Sequence, residues 1–225
     1  MLKLYILEGS PASRSILMLA DILNITLETI DVDYFGKQHL TAEFRKINPL
    51  HTIPVLVDGD LILHDSHVIL TYLTEKYGRD CRDHSLYPKD VKQRALIDQK
   101  LYFDTLIFRR MRNVTVTFED GVRRPTEKLL KELQETYDFT EEFLSSTKYI
   151  AGDSMTLADL SVGATVSTID KLIPLDPKMN IFSKNIFTIG TISGVPNLFQ
   201  PAAHLQVNIL SRRPTLPRYY KKIHK

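Results

Sequence analysis

The chain has a single cysteine, Cys81, so no internal disulfide can form. Its first residues, Met1-Leu2-Lys3-Leu4-Tyr5, lack a basic stretch followed by an apolar one. Both features predict a reducing, cytoplasmic setting. No run of about eighteen apolar residues occurs, which removes any transmembrane helix and predicts no membrane partner. Charge of one sign is scarce too. The 29 Lys and Arg residues against 27 Asp and Glu leave a net charge of +2. That gives no large field to hold nucleic acid or anionic lipid, and nucleic acid is not expected as a partner. Internal repeats and low-complexity tracts are also missing.

What is present is enough for a folded enzyme or binding protein. At 225 residues and 43% hydrophobic content, the chain can build two compact domains with a shared interface. Leu2, Leu4 and Ile6 recur at period two, which predicts a strand. Ser10-Pro11 then offers an N-cap followed by proline at the first helical position, and Ile16, Ala20 and Leu23 continue at helical spacing. Leu27 to Val32 reads as a second strand, parallel to the first because a helix joins them. A short helix over Thr41 to Ile47 should stop before Asn48-Pro49. Ile53–Val57 and Leu61–Leu63 flank Asp58-Gly59-Asp60, a turn composition for an antiparallel hairpin. Asp65-Ser66 starts a helix with Ile69, Leu70, Tyr72 and Leu73 inward and Gly78 as its stop. The predicted order is βαβαββα over 1–78, with a polar linker over 79–88.

Residues 89–175 read as helical. One long helix carries Ile97, Leu101, Asp104, Phe108 and Met111 at steps of four and three, which places one acid in an apolar stripe. A second helix carries Leu129, Leu130, Leu133 and Tyr137. A third starts at Thr156, whose hydroxyl should cap the Asp159 amide while the Asp159 carboxylate reaches back, with Met155 and Leu160 as a hydrophobic staple. Residues 176–225 show no sustained period and form an atypical tail.

Several residues of the first domain carry chemistry that suits a small thiol peptide. Ser10 sits where a strand gives way to a helix start, beside free amides that stabilise a thiolate. A plain N-cap is the alternative. Pro54 opens a strand without an N–H for the ladder; a cis Ile53–Pro54 bond would fit and would aim the Ile53 backbone outward, toward a ligand that pairs as a strand does. A simple strand edge is the alternative. Asp65-Ser66 combines an acceptor for an ammonium group with a helix start for a carboxylate, or is an ordinary capping pair. His39, His51 and His67 are not spaced as metal ligands, so no metal is expected; His51, directly ahead of the Ile53-Pro54 turn, reads best as a donor to an anion, while His39 and His67 are such donors or ordinary surface residues.

These residues, with Arg14, Asn48 to Leu56, Tyr72-Leu73, Ser85 to Pro88, Phe108 to Arg112 and Thr156 to Asp159, resemble those of a cytosolic glutathione transferase of the insect delta and epsilon type, nearer epsilon. The resemblance implies a thioredoxin-like α/β N-terminal domain, an all-helical second domain and a homodimer. Glutathione is then a co-substrate, conjugated to hydrophobic electrophiles in detoxification, with peroxide reduction or dehydrochlorination as accessory activities. Ser10 is the implied catalytic residue, stabilising the thiolate. His39, His51, Thr52, Ile53, Pro54, Asp65, Ser66 and His67 are the implied glutathione site. His51 and His39 hold the glycyl carboxylate, Ile53 pairs with the cysteinyl unit, and Asp65 with Ser66 takes the γ-glutamyl head. Phe108, Met111, Arg112 and Phe118 are the implied electrophile site, with plain core packing as the alternative for several of them, while Arg109 can face solvent. Asp65 stands where most of the family has Glu, and residues 176–225 differ from the helices that usually close the cleft. A non-catalytic ligand-binding or steroid-related member of the same fold is the rival reading, since fold does not fix function.

Overall fold

A computed structural model of the chain describes residues 1–78, 86–122 and 125–172. The first of these stretches runs β1 (Leu2–Ile6), α1 (Pro11–Ile22), β2 (Glu28–Asp31), α2 (Ala42–Ile47), β3 (Val55–Asp58), β4 (Leu61–His64) and α3 (Ser66–Tyr77). The expected βαβαββα order is therefore observed, with a 3-10 turn over Gln38–Leu40 added before α2. Helices α4 (Val91–Glu119), α5 (Glu127–Ser145) and α6 (Leu157–Leu172) follow. The atypical tail expected over 176–225 lies outside the described residues, as do positions 79–85 of the expected linker.

The four strands form one mixed sheet in the order β2-β1-β3-β4. In β1, Leu2 and Leu4 are buried and Lys3 is exposed, the alternation that the period of two requires. β1 and β2 are parallel, joined across α1, while β3 runs antiparallel to both β1 and β4. Gly59 turns the hairpin at φ 63°, a left-handed conformation that glycine adopts without a Cβ clash. The third strand starts at Val55 and not at Ile53, because Pro54 has no N–H to give the ladder and the Ile53–Pro54 peptide bond is cis.

Register decides where the functional groups gather. Ile6 pairs with Asp31, Tyr5 with Val55, and Val55 with His64. The C-terminal ends of β1, β2 and β4 and the N-terminal end of β3 consequently meet at one edge of the sheet. Everything that follows β1, β2 or β4, or precedes β3, emerges there.

The helices bury most of the stripes that their spacing predicts. In α4, Ile97, Leu101, Asp104 and Met111 are buried, with Ile107 inside and Phe108 only half-buried; in α5, Leu133 and Tyr137 are buried, joined by Leu144, while Leu129 and Leu130 are half-buried. Helix α6 is buried along almost its whole length and packs between α1 and α4. One continuous core joins Leu4, Ile16 and Leu70 of the sheet half to Ile107, Leu157, Leu160 and Val166 of the helical half. Each such side chain stabilises the fold by about 1.5–3 kcal/mol. Arg14 of α1 crosses the same boundary and donates to the Ala164 carbonyl at 2.7 Å and to the Thr168 hydroxyl. At the start of α6 the hydrogen bonding differs from the expected reciprocal pair. The Asp159 carboxylate accepts from the Thr156 amide at 2.8 Å, the Thr156 hydroxyl at 3.0 Å and the Ile150 amide at 2.8 Å. The Asp159 amide instead donates to the Thr156 carbonyl. Burial outweighs these donors and pushes the Asp159 carboxyl up to about 6.

Candidate active site

Ser10 follows β1 through a tight turn. Gly9 adopts φ 79°, and the Ser10 amide donates to the Leu7 carbonyl at 3.0 Å. By position Ser10 is the N-cap of α1, and Pro11 takes the first helical place as the sequence predicts. Its side chain makes no capping hydrogen bond, however. The hydroxyl is left beside the positive end of a helix without the duty that an N-cap serine usually performs. Thr41, by contrast, caps α2 in the ordinary way, accepting from the Phe44 amide at 3.2 Å.

The turn before β3 is organised by Asn48, which the sequence marks as a helix stop and as the first residue of the motif running to Leu56, without a role of its own. Its amide nitrogen donates to the Thr52 carbonyl at 2.9 Å and the Thr52 hydroxyl at 3.0 Å, and its oxygen accepts from the Leu50 amide at 3.0 Å. The last of these closes an Asx turn. The His51 amide donates to the Asn48 carbonyl, and His51 is held at φ 47° with its side chain exposed. Thr52 is also exposed, Ile53 half-buried and Pro54 buried. Ile53 thus precedes β3 at the sheet edge, outside the ladder.

Asp65 and Ser66 sit at the start of α3. Asp65 adopts φ 78° and caps the helix, with Oδ1 accepting from the His67 amide at 2.9 Å and the Val68 amide at 3.3 Å. One carboxylate oxygen is therefore committed to the helix. Ser66 is buried beneath it. His67 bridges two acids, with Nδ1 3.3 Å from Asp65 Oδ1 and Nε2 2.9 Å from Asp104 Oδ2. Burial alone would push the imidazole down, but the hydrogen bonds to Asp104 and Asp65 outweigh it and raise His67 to about 9. The same bond from His67 holds the Asp65 carboxyl below its ordinary range, against the effect of burial. Asp104 also accepts from the Ser161 hydroxyl at 2.5 Å, while its Oδ1 is buried with no hydrogen-bond partner among the described residues.

Ser10, Ile53-Pro54, Asp65-Ser66 and the segment leading to His39 all leave the same edge of the sheet, and α4 runs across it. A cap hydroxyl without a cap bond, an unladdered backbone at a cis-proline and a helix start beside an acid thus lie at one edge, groups of the kinds that can meet an extended peptide.

Residues 4–80 match the family model for the glutathione S-transferase N-terminal domain. Glutathione S-transferase 1 of Manduca sexta is 41% identical over 179 residues, covering 77% of this chain and 80% of that protein. The chain belongs to the glutathione S-transferase family. Among solved structures, an epsilon-class glutathione S-transferase from the housefly, Musca domestica, superposes with a TM-score of 0.85 at 32% identity, covering 96% of this chain and all of the other. A glutathione transferase homologue from a Drosophila species, solved with bound glutathione, has a TM-score of 0.85 at 30% identity, covering 94% of this chain and 97% of that one.

In this family member the α4 residues expected at the electrophile site divide into different environments. Phe108 and Phe118 are half-buried at the rim of the core, and Arg109 is exposed as expected. Met111 is packed inside the core at 3% exposure, with almost no surface to offer an electrophile. Arg112 does not stand open either. Its guanidinium donates to the Thr115 hydroxyl at 2.9 Å, the Glu119 carboxylate at 2.8 Å and, across the groove, the Tyr34 hydroxyl at 3.0 Å. Tyr34 stacks on His39 with ring centroids 4.5 Å apart and planes 9° apart. His39 is buried, and its Nδ1 has no hydrogen-bond partner among the described residues.

Asp104, Phe108 and Arg112 succeed each other at one-turn steps on α4. Asp104 meets His67 at one end of the groove and Arg112 meets Tyr34 at the other, about 12 Å of helix apart. An extended tripeptide is about as long. Sequence reasoning noticed Asp104 as a lone acid in an apolar stripe but did not assign it to the site. It missed Tyr34 and gave Asn48 no part in the site. No grouping of His, Cys, Asp and Glu able to hold a metal occurs among the described residues.

Proposed function

We propose that this transferase conjugates the thiol of glutathione to hydrophobic electrophiles, with Ser10 stabilising the thiolate. The observation that carries the reading is the Ser10 hydroxyl, placed at the N-terminal end of α1 and free of a capping bond. A free thiol of pKa about 8.5 is a few per cent ionised near pH 7, so a donor that lowers it by one or two units supplies the nucleophile. Ser10 acts as donor, because a neutral serine is a poor base. The thiol proton leaves to solvent, and sulfur then forms a bond to the electrophilic carbon. A leaving group such as chloride departs with its bonding pair, or the electron pair moves onto an adjacent acceptor.

The rest of glutathione lies along the sheet edge. Ile53 pairs its backbone with the cysteinyl unit, next to cis-Pro54 and Thr52. The Ser66 hydroxyl and amide take the γ-glutamyl carboxylate, the second oxygen of Asp65 takes the ammonium group, and His67 stands behind them. His51 and His39 take the glycyl carboxylate. The Drosophila homologue solved with bound glutathione supports glutathione as the ligand. Phe108 and Phe118 face the electrophile, with Arg112 at the end of that wall and Met111 supporting it from the core.

Residues 1–78 act in this reading as the glutathione-binding domain and 89–175 as the domain that supplies the electrophile side. We also assign a cytoplasmic location, a detoxification role, an epsilon-like class and a homodimer. The exposed Leu61 and Ile62 on edge strand β4, Val68 on α3 and Tyr102 on α4 support a self-association surface. Sedimentation of the purified protein tests the dimer. The chemistry is tested by retention on immobilised glutathione and turnover of a chloronitrobenzene substrate. Turnover should collapse in Ser10→Ala while retention persists; unchanged turnover in that variant would remove Ser10 from the mechanism.

A further inference from the structure

The contact between Tyr34 and Arg112 is not explained by an electrophile site. Arg112 was expected to face that substrate, yet one nitrogen of its guanidinium is held by Thr115 and Glu119 and the other reaches Tyr34. The loop that carries Tyr34 is itself fixed. The Asp33 carboxylate accepts from the Gly36 amide at 2.7 Å, and the Asp33 amide donates to the Gln38 side chain at 2.8 Å. Tyr34 is therefore held from both sides, by its own loop and by α4. What it holds in turn is the His39 ring, lying nearly parallel at 4.5 Å.

His39 is built like a ligand-binding group that waits for its ligand. It is buried, its Nδ1 lacks a partner among the described residues, and His51 lies 6.5 Å away between ring centroids. Burial first, then the nearby charges of His51 and Arg112, push its pKa down. A neutral imidazole has one N–H and one lone pair, so the orientation of its ring decides whether it meets an anion as donor or as acceptor. A stacked neighbour fixes the ring plane without occupying either nitrogen.

We propose that Tyr34 and Arg112 form a positioning pair that fixes the His39 ring for the glycyl carboxylate of glutathione. The pair sets affinity for that carboxylate and leaves the chemical step alone. This inference rests on reading the sheet edge as the glutathione groove. Tyr34 acts by stacking and Arg112 by holding the Tyr34 hydroxyl, while Glu119, paired to the same guanidinium at 2.8 Å, offsets most of the Arg112 charge.

The test uses the full chain with two thiols, glutathione and its C-terminal amide, in which a carboxamide replaces the glycyl carboxylate. Wild type should show a lower KM for glutathione than for the amide. Tyr34→Leu should raise the KM for glutathione by roughly threefold to tenfold, the size of an aromatic stacking contribution. The KM for the amide should stay in place, and kcat at saturating thiol should stay within about twofold. Arg112→Gln approaches from the other side and should show the same selective rise in KM for glutathione over the amide, whatever it does to kcat, so the proposal does not depend on one variant folding. A purely structural brace would raise both KM values together, and that result, or no change in either variant, overturns the pair. Equal KM values for the two thiols in wild type would overturn the groove reading itself. Wild-type discrimination that survives in both variants would overturn the pair alone.

Discussion

His67 Nε2 lies 2.9 Å from Asp104 Oδ2, joining the first turn of α3 to the middle of α4 across 37 positions of sequence. Asp65 touches the other ring nitrogen, so one imidazole stands between a carboxylate at the groove and a carboxylate in the core. The pair couples the start of α3 to the helical half.

The first prediction follows from the sign of that coupling. His67 titrates near 9 in the folded protein against 6.5 when unperturbed. The folded state therefore binds the proton more tightly, and the stabilisation is fully present below about pH 6.5 and lost as pH rises through about 9. Melting temperatures of wild type and His67→Gln should differ most near pH 6 and converge above pH 9. A gap that stays constant across that range would contradict the bridge.

Ser10 and Thr41 give a paired prediction, because both occupy N-cap positions but only Thr41 uses its hydroxyl to cap. Thr41→Ala should cost about 1 kcal/mol in urea denaturation. Ser10→Ala should stay within about 0.5 kcal/mol while losing turnover. A Ser10→Ala cost as large as that of Thr41→Ala would return Ser10 to the role of an ordinary cap.

Asn48 is fully buried, and its side chain makes three hydrogen bonds within the turn that carries His51. Asn48→Ala strands those partners and should cost about 2–3 kcal/mol. The KM for glutathione should rise as well, since His51 loses the turn that holds its backbone at positive φ. Denaturation and steady-state kinetics on the same preparation check both effects.

Lys100 supplies a prediction of opposite sign. It is buried, its ammonium lies 3.1 Å from the Phe143 ring centroid, and it forms no ion pair among the described residues. Burial pushes its pKa down, as expected for a charge taken from water. Lys100→Met keeps the stem and removes the charge, and should leave stability unchanged or raise it by up to roughly 2 kcal/mol. A loss of more than about 1 kcal/mol would show that the contact with the ring outweighs the cost of burial.

Much of this was legible in the chain because it is local. The period of two in β1, Ser-Pro at the start of α1, the Asp58-Gly59 turn and the apolar steps of α4 each depend on residues a few positions apart. The chain turns at Ser10, Ile53-Pro54 and Asp65-Ser66 were legible for the same reason, since each announces a strand end or a helix start. What stayed hidden depends on distance. Asp104 stood out as an acid in an apolar stripe, but nothing nearby points to His67. Tyr34 lies in a loop with no period, and its partner Arg112 is 78 positions away. Asn48 read as a helix stop before proline, and its second task appears only once the turn closes around it. Asp159 was read as half of a reciprocal cap, yet the fold gives its carboxylate three donors and turns its amide to a carbonyl.

Helix α6 carries a consequence for how the protein is made. Arg14 finds the Ala164 carbonyl 150 residues further along the chain, and the face of α1 around it is covered by α6. A ribosome that has released the first 78 residues has produced every strand of the sheet but not the cover for α1. The apolar face of α1 must wait in a partly open state, exposed to chaperones or to other nascent chains, until residue 172 has emerged. A premature stop before Leu157 would therefore leave the sheet with a bare flank, a form expected to be cut by proteases far faster than the full chain.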